Sequence, residues 1–178
     1  ISREILQHDR QLKLIAKNVE KKIFDTLGSM MKNERDAYES WWKEFGTTIK
    51  TGIYSDYAGE RKNLQELLLF ESTADPSKMT SLDEYVARMK EGQQEIYLIA
   101  GKDRKLLEKM PQIEGFREKG FEILLLPDRI DEFMTMNLPE YREKKLKSLN
   151  RAEGEGERSD TTKNKEKDSK QLLEAITE

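Results

Sequence analysis

Apolar side chains recur at helical spacing through the first seventy positions of the chain. They repeat every three or four positions over 8–27, before Gly28, which is the period of an amphipathic helix. A second such run over 34–49 contains both tryptophans, and a third run over 59–70 is rich in leucine. Three helices with short connections predict a small helical bundle.

Strand patterns appear further along the chain. A turn-rich stretch leads to Ser81 and Glu84, whose spacing is that of a capping box and predicts that a helix begins there. The apolar runs 95–101 and 121–128 have the composition of strands buried on both faces of a parallel sheet. The residues between them repeat at helical spacing, which predicts a strand–helix–strand unit with a right-handed crossover.

The pattern after residue 128 adds one helix and one strand. Positions 129–138 are helical in period and end at Pro139, and the alternation over 144–150 indicates an outer strand. The predicted fold class is therefore α/β (α+β overall). It consists of a long helix and a small helical bundle, followed by a small three-layer α/β/α subdomain with a short, mainly parallel sheet.

A change in composition follows. Between 151 and 170 the only apolar side chain is Ala152, so this segment buries too little surface to offset its ordering entropy. We expect a flexible charged linker at 151–170. Leucine and isoleucine resume a helical pattern over 171–178, which predicts the start of another helix.

Charge and residue usage exclude several function classes. Lysine plus arginine (32) nearly balances aspartate plus glutamate (35), and the net charge of −3 favours neither nucleic acid nor an anionic membrane as a partner. No apolar run approaches the roughly 18 residues of a membrane span. The absence of cysteine excludes thiolate chemistry and is typical of a reducing compartment, so we expect a cytoplasmic location.

The sequence lacks the motifs of a catalytic or metal site that this chain could complete by itself. The single histidine, His8, leaves no material for a metal site or a histidine-dependent triad, so we predict no metal. We interpret His8 as a surface residue at a helix start. The chain also contains neither a phosphate-binding glycine loop nor a HExxH motif.

A cluster near position 132 is open to two interpretations. Asp131 and Glu132 are adjacent carboxylates, but 38% of the residues are charged, so we interpret the pair as a solvated face. Phe133, Met134 and Met136 share the same short predicted helix. Methionine-rich apolar surface suits adaptable binding, but core packing is favoured, because such residues are usually buried.

Four separated motifs occur in one order along the chain. They are "SREILQ", "WWKEFGTTIKTGIYSD", "SLDEYVARMKEGQQEIYLIAG" and "FEILLLPDRIDEFM". Together they resemble the middle domain of the ninety-kilodalton heat-shock chaperone family, most closely its bacterial high-temperature protein G branch, over about residues 1–150. Several motifs in order are much more specific than any one of them.

The resemblance implies that the chain is a segment of a longer protein, truncated at both ends. Residues 1–32 would be the catalytic-loop segment and the long helix that end the large middle subdomain. Residues 33–70 would form the helical bundle and 71–150 the small α/β/α subdomain. The linker 151–170 would then lead to 171–178, which begins a helix towards a C-terminal dimerisation domain.

The resemblance also implies a catalytic role for the first motif. In the family this loop supplies an arginine to the ATP held by the N-terminal domain, and the matching residue is Arg3, assisted by Gln7. A guanidinium neutralises charge on γ-phosphate oxygens with bidentate geometry. ATP with magnesium is therefore the expected cofactor of the full-length protein, and the segment alone is expected to bind none and to be inactive. The alternative is that Arg3 is an ordinary helix-flanking residue paired to a carboxylate.

For client recognition, the resemblance points to the stretch around residue 132. The implied client-binding residues are Glu132, Phe133, Met134 and Met136, with Phe133 where bacterial relatives often have tryptophan. An exposed aromatic side chain flanked by methionines and acids suits weak binding to many apolar segments. The competing interpretation is that Phe133 and Met134 close the core over the strand at 123–126.

Partners and function follow from the same resemblance. The function implied is an ATP-dependent molecular chaperone that assists the folding of unfolded or partly folded clients, with cochaperones as further partners. The full-length protein would be a homodimer through its C-terminal domain, and the segment a monomer. The alternative is a helical and α/β protein–protein interaction scaffold with no ATPase role, in which "SREILQ" is an accidental match.

Overall fold

The computed structural model describes residues 10–55 and 61–151. Arg3 and Gln7, the linker beyond residue 151 and the expected helix at 171–178 lie outside the described residues. The predictions for these positions therefore stay predictions.

Two long helices form the first part of the described chain. Helix α1 spans Arg10–Asn33 and helix α2 spans Arg35–Ser55. Both run past the ends that the periodicity predicts. Gly28 does not stop α1, because Met30 and Met31 beyond it pack against the core and hold the next turn in place.

Gly46 lies inside α2 for a steric reason. A Cβ atom at this position would be 2.7 Å from the nearest atom of the Trp42 indole, closer than van der Waals contact allows. The glycine therefore lets the Trp42 ring lie flat along the helix, where the indole is only 5% exposed. Glycine is unfavourable inside a helix by propensity, but at this position it leaves the space that the buried Trp42 side chain occupies.

The third predicted helix is wrong at its C-terminal end. Within the described residues helix α3 covers Arg61–Gln65, and Leu69–Ser72 form strand β1. Leu67, Leu68, Leu69 and Phe70 are all buried in succession, a pattern that a strand covered on both faces satisfies and an amphipathic helix does not. Leucine spacing alone does not distinguish these two structures in so short a run.

The capping box predicted at residue 81 is confirmed. The Ser81 hydroxyl accepts a hydrogen bond from the Glu84 backbone N–H at 3.2 Å, and the Glu84 carboxylate accepts one from the Ser81 N–H at 2.8 Å. Helix α4 begins at Leu82, directly after Ser81. The remaining elements are β2 (Thr80–Ser81), α4 (Leu82–Arg88), β3 (Glu95–Ala100), α5 (Arg104–Leu107), α6 (Pro111–Glu118), β4 (Leu124–Leu126), α7 (Arg129–Met136), β5 (Glu140–Tyr141) and β6 (Lys144–Ser148), followed by a 3₁₀ turn at Leu149–Arg151.

The strands form one six-stranded sheet in the order β2-β1-β4-β3-β6-β5. The three central strands β4, β3 and β6 are parallel, and the outer pairings are antiparallel. The sheet is therefore mixed. The predicted strand–helix–strand unit is confirmed, since β3 and β4 pair in parallel across α5 and α6. Strand β6 is not the outermost strand, because β5 folds back along it.

Helices cover both faces of this sheet. Along β4, Leu124 and Leu126 belong to one core cluster and Leu125 to another, as the alternation of side chains in a strand requires. The first cluster contains residues of α2, α4 and α7, and the second contains residues of α5 and α6. The α/β class and the α/β/α layering are confirmed.

Helix α2 shares its core with the sheet. Its Tyr38, Trp42 and Ile53 are buried in the first cluster together with strand residues. The Tyr38 hydroxyl also donates a 2.6 Å hydrogen bond to the Leu67 carbonyl oxygen just before β1. Helix α2 also packs against α7. In the part of the chain that the structure describes, no helix has the length and apolar character needed to cross a membrane.

Candidate functional site

Helix α7 carries all the predicted client-binding residues. It follows strand β4 directly, and the backbone N–H of Asp128 donates to the Asp131 carboxylate at 3.1 Å, which closes its first turn. The helix lies against α2 and closes one end of the first core cluster. Its outward residues at 129, 132, 133 and 136 share one face, as helical spacing requires.

The predicted client-binding residues of α7 differ in how far their side chains are exposed. Phe133 is 48% exposed and Met136 is 60% exposed, and Glu132 is exposed as well. Met134, in contrast, is completely buried in the core. The expectation that Met134 contacts clients is therefore corrected. The competing interpretation was that Phe133 and Met134 both close the core. The structure confirms it for Met134 and contradicts it for Phe133.

Phe133 has an aromatic partner that the sequence did not indicate. The Tyr54 ring meets the Phe133 ring edge to face, with 5.7 Å between ring centroids. Tyr54 is 47% exposed, and its carbonyl oxygen accepts a 3.1 Å hydrogen bond from the Asn137 amide. The sequence feature that could have indicated this contact is the apolar stripe of α2. The stripe continues past residue 49 to Ile53, so the helix extends far enough for Tyr54 to reach α7.

A buried ion pair fixes α7 to α2. Lys50 Nζ lies 2.8 Å from Asp131 Oδ1 and 2.6 Å from Asp128 Oδ2. Asp131 is 0% exposed and Lys50 4% exposed. The interpretation of Asp131 as part of a solvated face is thus corrected, because its carboxylate is inside the protein. Burial raises the pKa of the Asp131 carboxyl, and the adjacent Lys50 ammonium opposes that rise.

Lys50 has a third neighbour, the aromatic ring of Trp42. Its ammonium lies 5.9 Å from the centroid of a Trp42 ring, within the range of a cation–π contact. The buried charge is therefore surrounded by two carboxylates and one aromatic face, which together replace its lost hydration. The orientation of α7, and so of Phe133, depends on this arrangement.

Within 10–55 and 61–151, no group of three or more histidine, cysteine, aspartate or glutamate side chains is arranged to hold a metal ion. The exposed face of α7 offers apolar contact together with the charged side chains of Arg129 and Glu132. Such a surface suits binding to a polypeptide and has no described group for covalent chemistry.

Comparison with known proteins gives the family. The model of the family described as Hsp90 protein matches residues 1–178. The chain belongs to the Hsp90 family. This confirms the resemblance carried by the four sequence motifs.

Similar proteins are bacterial chaperones. The chain is 47% identical to "Chaperone protein HtpG" of Clostridium botulinum (strain Langeland / NCTC 10281 / Type F), over 99% of the chain and 28% of that relative. It is 51% identical to the HtpG protein of Geobacter sulfurreducens, over 86% of the chain and 24% of the relative. For Alkaliphilus oremlandii HtpG the identity is 46%, over 99% of the chain and 29% of the relative.

The chain spans less than a third of the length of these HtpG relatives. The match therefore shows the family of this chain, and the activities of the longer relatives are a separate matter. The described residues contribute the α7 surface and the core that supports it.

Proposed function

We propose that this chain is a middle-domain segment of a cytoplasmic, ATP-dependent molecular chaperone, and that its α7 face binds unfolded or partly folded client proteins. The relatives that it resembles over almost its whole length are named as chaperones. The observation that carries the proposal is the exposure of Phe133 and Met136 on a helix that is otherwise firmly packed.

The chemistry of this face suits many clients. Phe133, Met136 and Tyr54 leave about half of their side-chain surface in water, which favours burial against apolar segments of another chain. Methionine adapts its shape to different partners. Few directional groups are present, so affinity for any one sequence stays low and the range of acceptable sequences stays wide.

The proposal for the N-terminal motif rests on the sequence match alone. Arg3 and Gln7 would act on ATP bound with magnesium by another domain of the longer protein. The Arg3 guanidinium would neutralise charge that develops on the γ-phosphate, and Gln7 would assist it. Dimerisation of the longer protein through its C-terminal domain, and association with cochaperones, belong to the same proposal.

Client binding is tested with one substitution in the α7 face. Phe133→Ser should weaken binding of the 178-residue chain to a permanently unfolded probe, reduced and carboxymethylated α-lactalbumin, by about tenfold, as expected when a large apolar contact is lost. Leu106→Ser is the matched control, because Leu106 is 57% exposed on α5 at the opposite face of the sheet. Equal binding by the Phe133 variant and the unmodified chain would contradict the proposal.

The scaffold alternative differs in its link to ATP hydrolysis. Fusing the chain to an ATP-binding domain of the family should raise ATP turnover above that of the isolated domain. The same fusion with Arg3→Ala should not. If both fusions have the turnover of the isolated domain, the chain is a binding scaffold without an ATPase role.

A further inference from the structure

A cavity lies between helix α2 and the loop that joins β1 to β2, and we call it the α2 pocket. Its volume is about 500 Å³. Its floor is apolar and consists of buried core residues, among them Trp42, Leu69, Phe70 and Leu125. The lining includes neither Tyr54 nor Phe133 nor Met136. The α2 pocket is therefore distinct from the surface proposed for client binding.

One wall of the α2 pocket is a single face of helix α2. The residues of this face recur at helical spacing, as Glu39, Lys43, Gly46, Thr47 and Lys50. Gly46 has no side chain, and the Trp42 indole lies against it. This wall therefore combines an aromatic ring with polar side chains.

The acidic side chains in the lining of the α2 pocket all have counterions. Their ion pairs are Glu39–Arg35 at 3.0 Å, Glu71–Arg104 at 3.0 Å and Asp128–Lys50 at 2.6 Å. Arg35 lies outside the lining, whereas Arg104 and Lys50 belong to it. These pairs leave no carboxylate of the lining in need of a cationic ligand.

The other two charged residues of the lining are Lys43 and Lys78, one on each wall of the pocket. Both are exposed, and within 10–55 and 61–151 neither forms an ion pair. Asp75 of the same loop accepts hydrogen bonds from the Ser77 hydroxyl and N–H at 2.6 and 2.8 Å. These bonds lower the pKa of Asp75, and the Lys78 charge adds a smaller effect from beyond ion-pair distance. The pocket thus has two ammonium groups without a paired carboxylate.

We propose that the α2 pocket binds a small organic anion, with its apolar ring system on the floor at Trp42 and Phe70 and its acidic group held by Lys43 and Lys78. The volume of the pocket lies within the range of about 300–1,000 Å³ that is typical of small-molecule sites. A carboxylate or sulfonate accepts charge-assisted hydrogen bonds from ammonium groups. Thr47, one helical turn from Lys43, adds a hydroxyl to the lining. The inference does not depend on client binding by α7.

Charge and apolar area together favour this ligand class over others. A cationic ligand is repelled by Lys43 and Lys78, and the carboxylates that could attract it are already neutralised. An inorganic anion such as phosphate leaves the apolar floor in contact with water. A neutral apolar ligand gains the contact with the floor alone. Only an anion with an apolar body uses both features of the α2 pocket.

The proposal is tested with two fluorescent dyes that differ in one group. 8-Anilinonaphthalene-1-sulfonate carries a sulfonate, and N-phenyl-1-naphthylamine has the same ring system without it. Each dye is titrated with the 178-residue chain. Lys43→Gln and Lys78→Gln should each weaken binding of the sulfonate dye about two- to fivefold at low salt, and less at high salt, because exposed charges are screened. The uncharged dye should bind both variants as it binds the unmodified chain.

Two control variants separate the α2 pocket from other surfaces. Lys102→Gln makes the same charge change at an exposed lysine that follows β3 and lies outside the lining. Phe133→Ser alters the α7 face and leaves the α2 pocket intact. Both controls should bind the sulfonate dye as the unmodified chain does. Thermal melts check that all four variants fold.

Each outcome either supports or overturns the proposal. A loss of affinity that is confined to the sulfonate dye and to Lys43→Gln and Lys78→Gln supports it. An equal loss in Lys102→Gln would assign the effect to overall charge and overturn it. Unchanged affinity in the Lys43 and Lys78 variants, or a loss in Phe133→Ser, would mean that the dye binds another surface, which also overturns it. None of these outcomes alters the test of client binding with the unfolded probe.

Discussion

Lys50 and Asp131 form an ion pair in which both side chains are almost completely removed from water, with 2.8 Å between Nζ and Oδ1. Asp131 belongs to the helix that carries Phe133. Lys50 belongs to the helix that has Tyr54 in its last turn. The exposed aromatic pair is thus held from inside the protein by a buried charge pair. The arrangement links a polar feature of the core to the apolar surface proposed for client binding.

The first prediction concerns this ion pair. Lys50→Met leaves Asp131 as a buried carboxylate that has lost its counterion, so we expect the free energy of unfolding to fall by about 3–5 kcal/mol. The double variant Lys50→Met/Asp131→Leu removes both charges and should recover most of that loss. Urea denaturation measures both. A double variant as unstable as the single one would show that the pair itself, rather than the orphaned charge, is what the fold requires.

The second prediction concerns Tyr54, which supports the Phe133 ring edge to face. Tyr54→Ala should weaken binding of the unfolded probe about three- to tenfold, since an aromatic pair contributes about 0.5–1.5 kcal/mol beyond its buried area. Phe45→Ala is the control, because Phe45 is 51% exposed on the same helix and stacks instead on Trp41 at 5.5 Å. Equal losses in the two variants would mean that exposed aromatic area, rather than position, determines binding.

A third prediction concerns the buried hydroxyl of Tyr85. It donates to the Glu122 carbonyl oxygen at 2.7 Å and accepts from the Tyr97 N–H and the Gln93 amide at 3.0 and 3.1 Å. Burial raises its pKa to about 12. Tyr85→Phe leaves buried polar groups without a partner and should destabilise the fold by about 2–3 kcal/mol.

The matched control for Tyr85 is Tyr97→Phe. The Tyr97 ring packs against Phe116, 4.6 Å between centroids, and that contact survives loss of the hydroxyl. We expect a change of less than about 0.5 kcal/mol, measured by the same denaturation experiment. A Tyr97→Phe loss as large as that of Tyr85→Phe would contradict the assignment of the hydrogen-bond network to Tyr85.

The fourth prediction concerns the turn between β5 and β6. Tyr141 pairs with Lys144, so Arg142 and Glu143 form a two-residue loop, and both have positive φ angles of 45° and 64°. Such a loop favours glycine or asparagine. Glu143→Gly should raise the free energy of unfolding by about 0.5–1 kcal/mol, whereas Glu143→Ala, which retains a Cβ atom, should not. Arg142 is kept because it forms an ion pair with Asp83.

The fifth prediction concerns Arg3 in the longer protein. Arg3→Ala should lower ATP turnover by about 10³-fold, or less where domain closure limits the rate, and should leave nucleotide affinity nearly unchanged. Arg3→Lys should not restore turnover fully, because an ammonium lacks the planar fork of the guanidinium. Turnover and nucleotide dissociation constants are measured side by side. Unchanged turnover would assign Arg3 a role other than catalysis.

The sequence by itself determined the local features of this protein. The capping box at Ser81, the strand–helix–strand unit from β3 to β4 and the position of α7 all follow from residues close together in the chain. Each depends on side-chain period or on hydrogen bonds within one turn, which need no distant partner. The ordered motifs likewise determined the Hsp90 family.

Only the tertiary structure decided which polar and apolar residues face water. Asp131 and Glu132 are neighbours of the same type, yet the first is buried because Lys50 comes from another helix to neutralise it. Met134 enters the core and Phe133 remains at the surface beside Tyr54, because α7 presents one side to the sheet and its other side to solvent. Leu69 and Phe70 extend into a strand because they pair with β2, while Glu71 and Ser72 of the same strand pair with β4. These outcomes depend on contacts between segments that are far apart in the chain, where local periodicity carries no information about the partner.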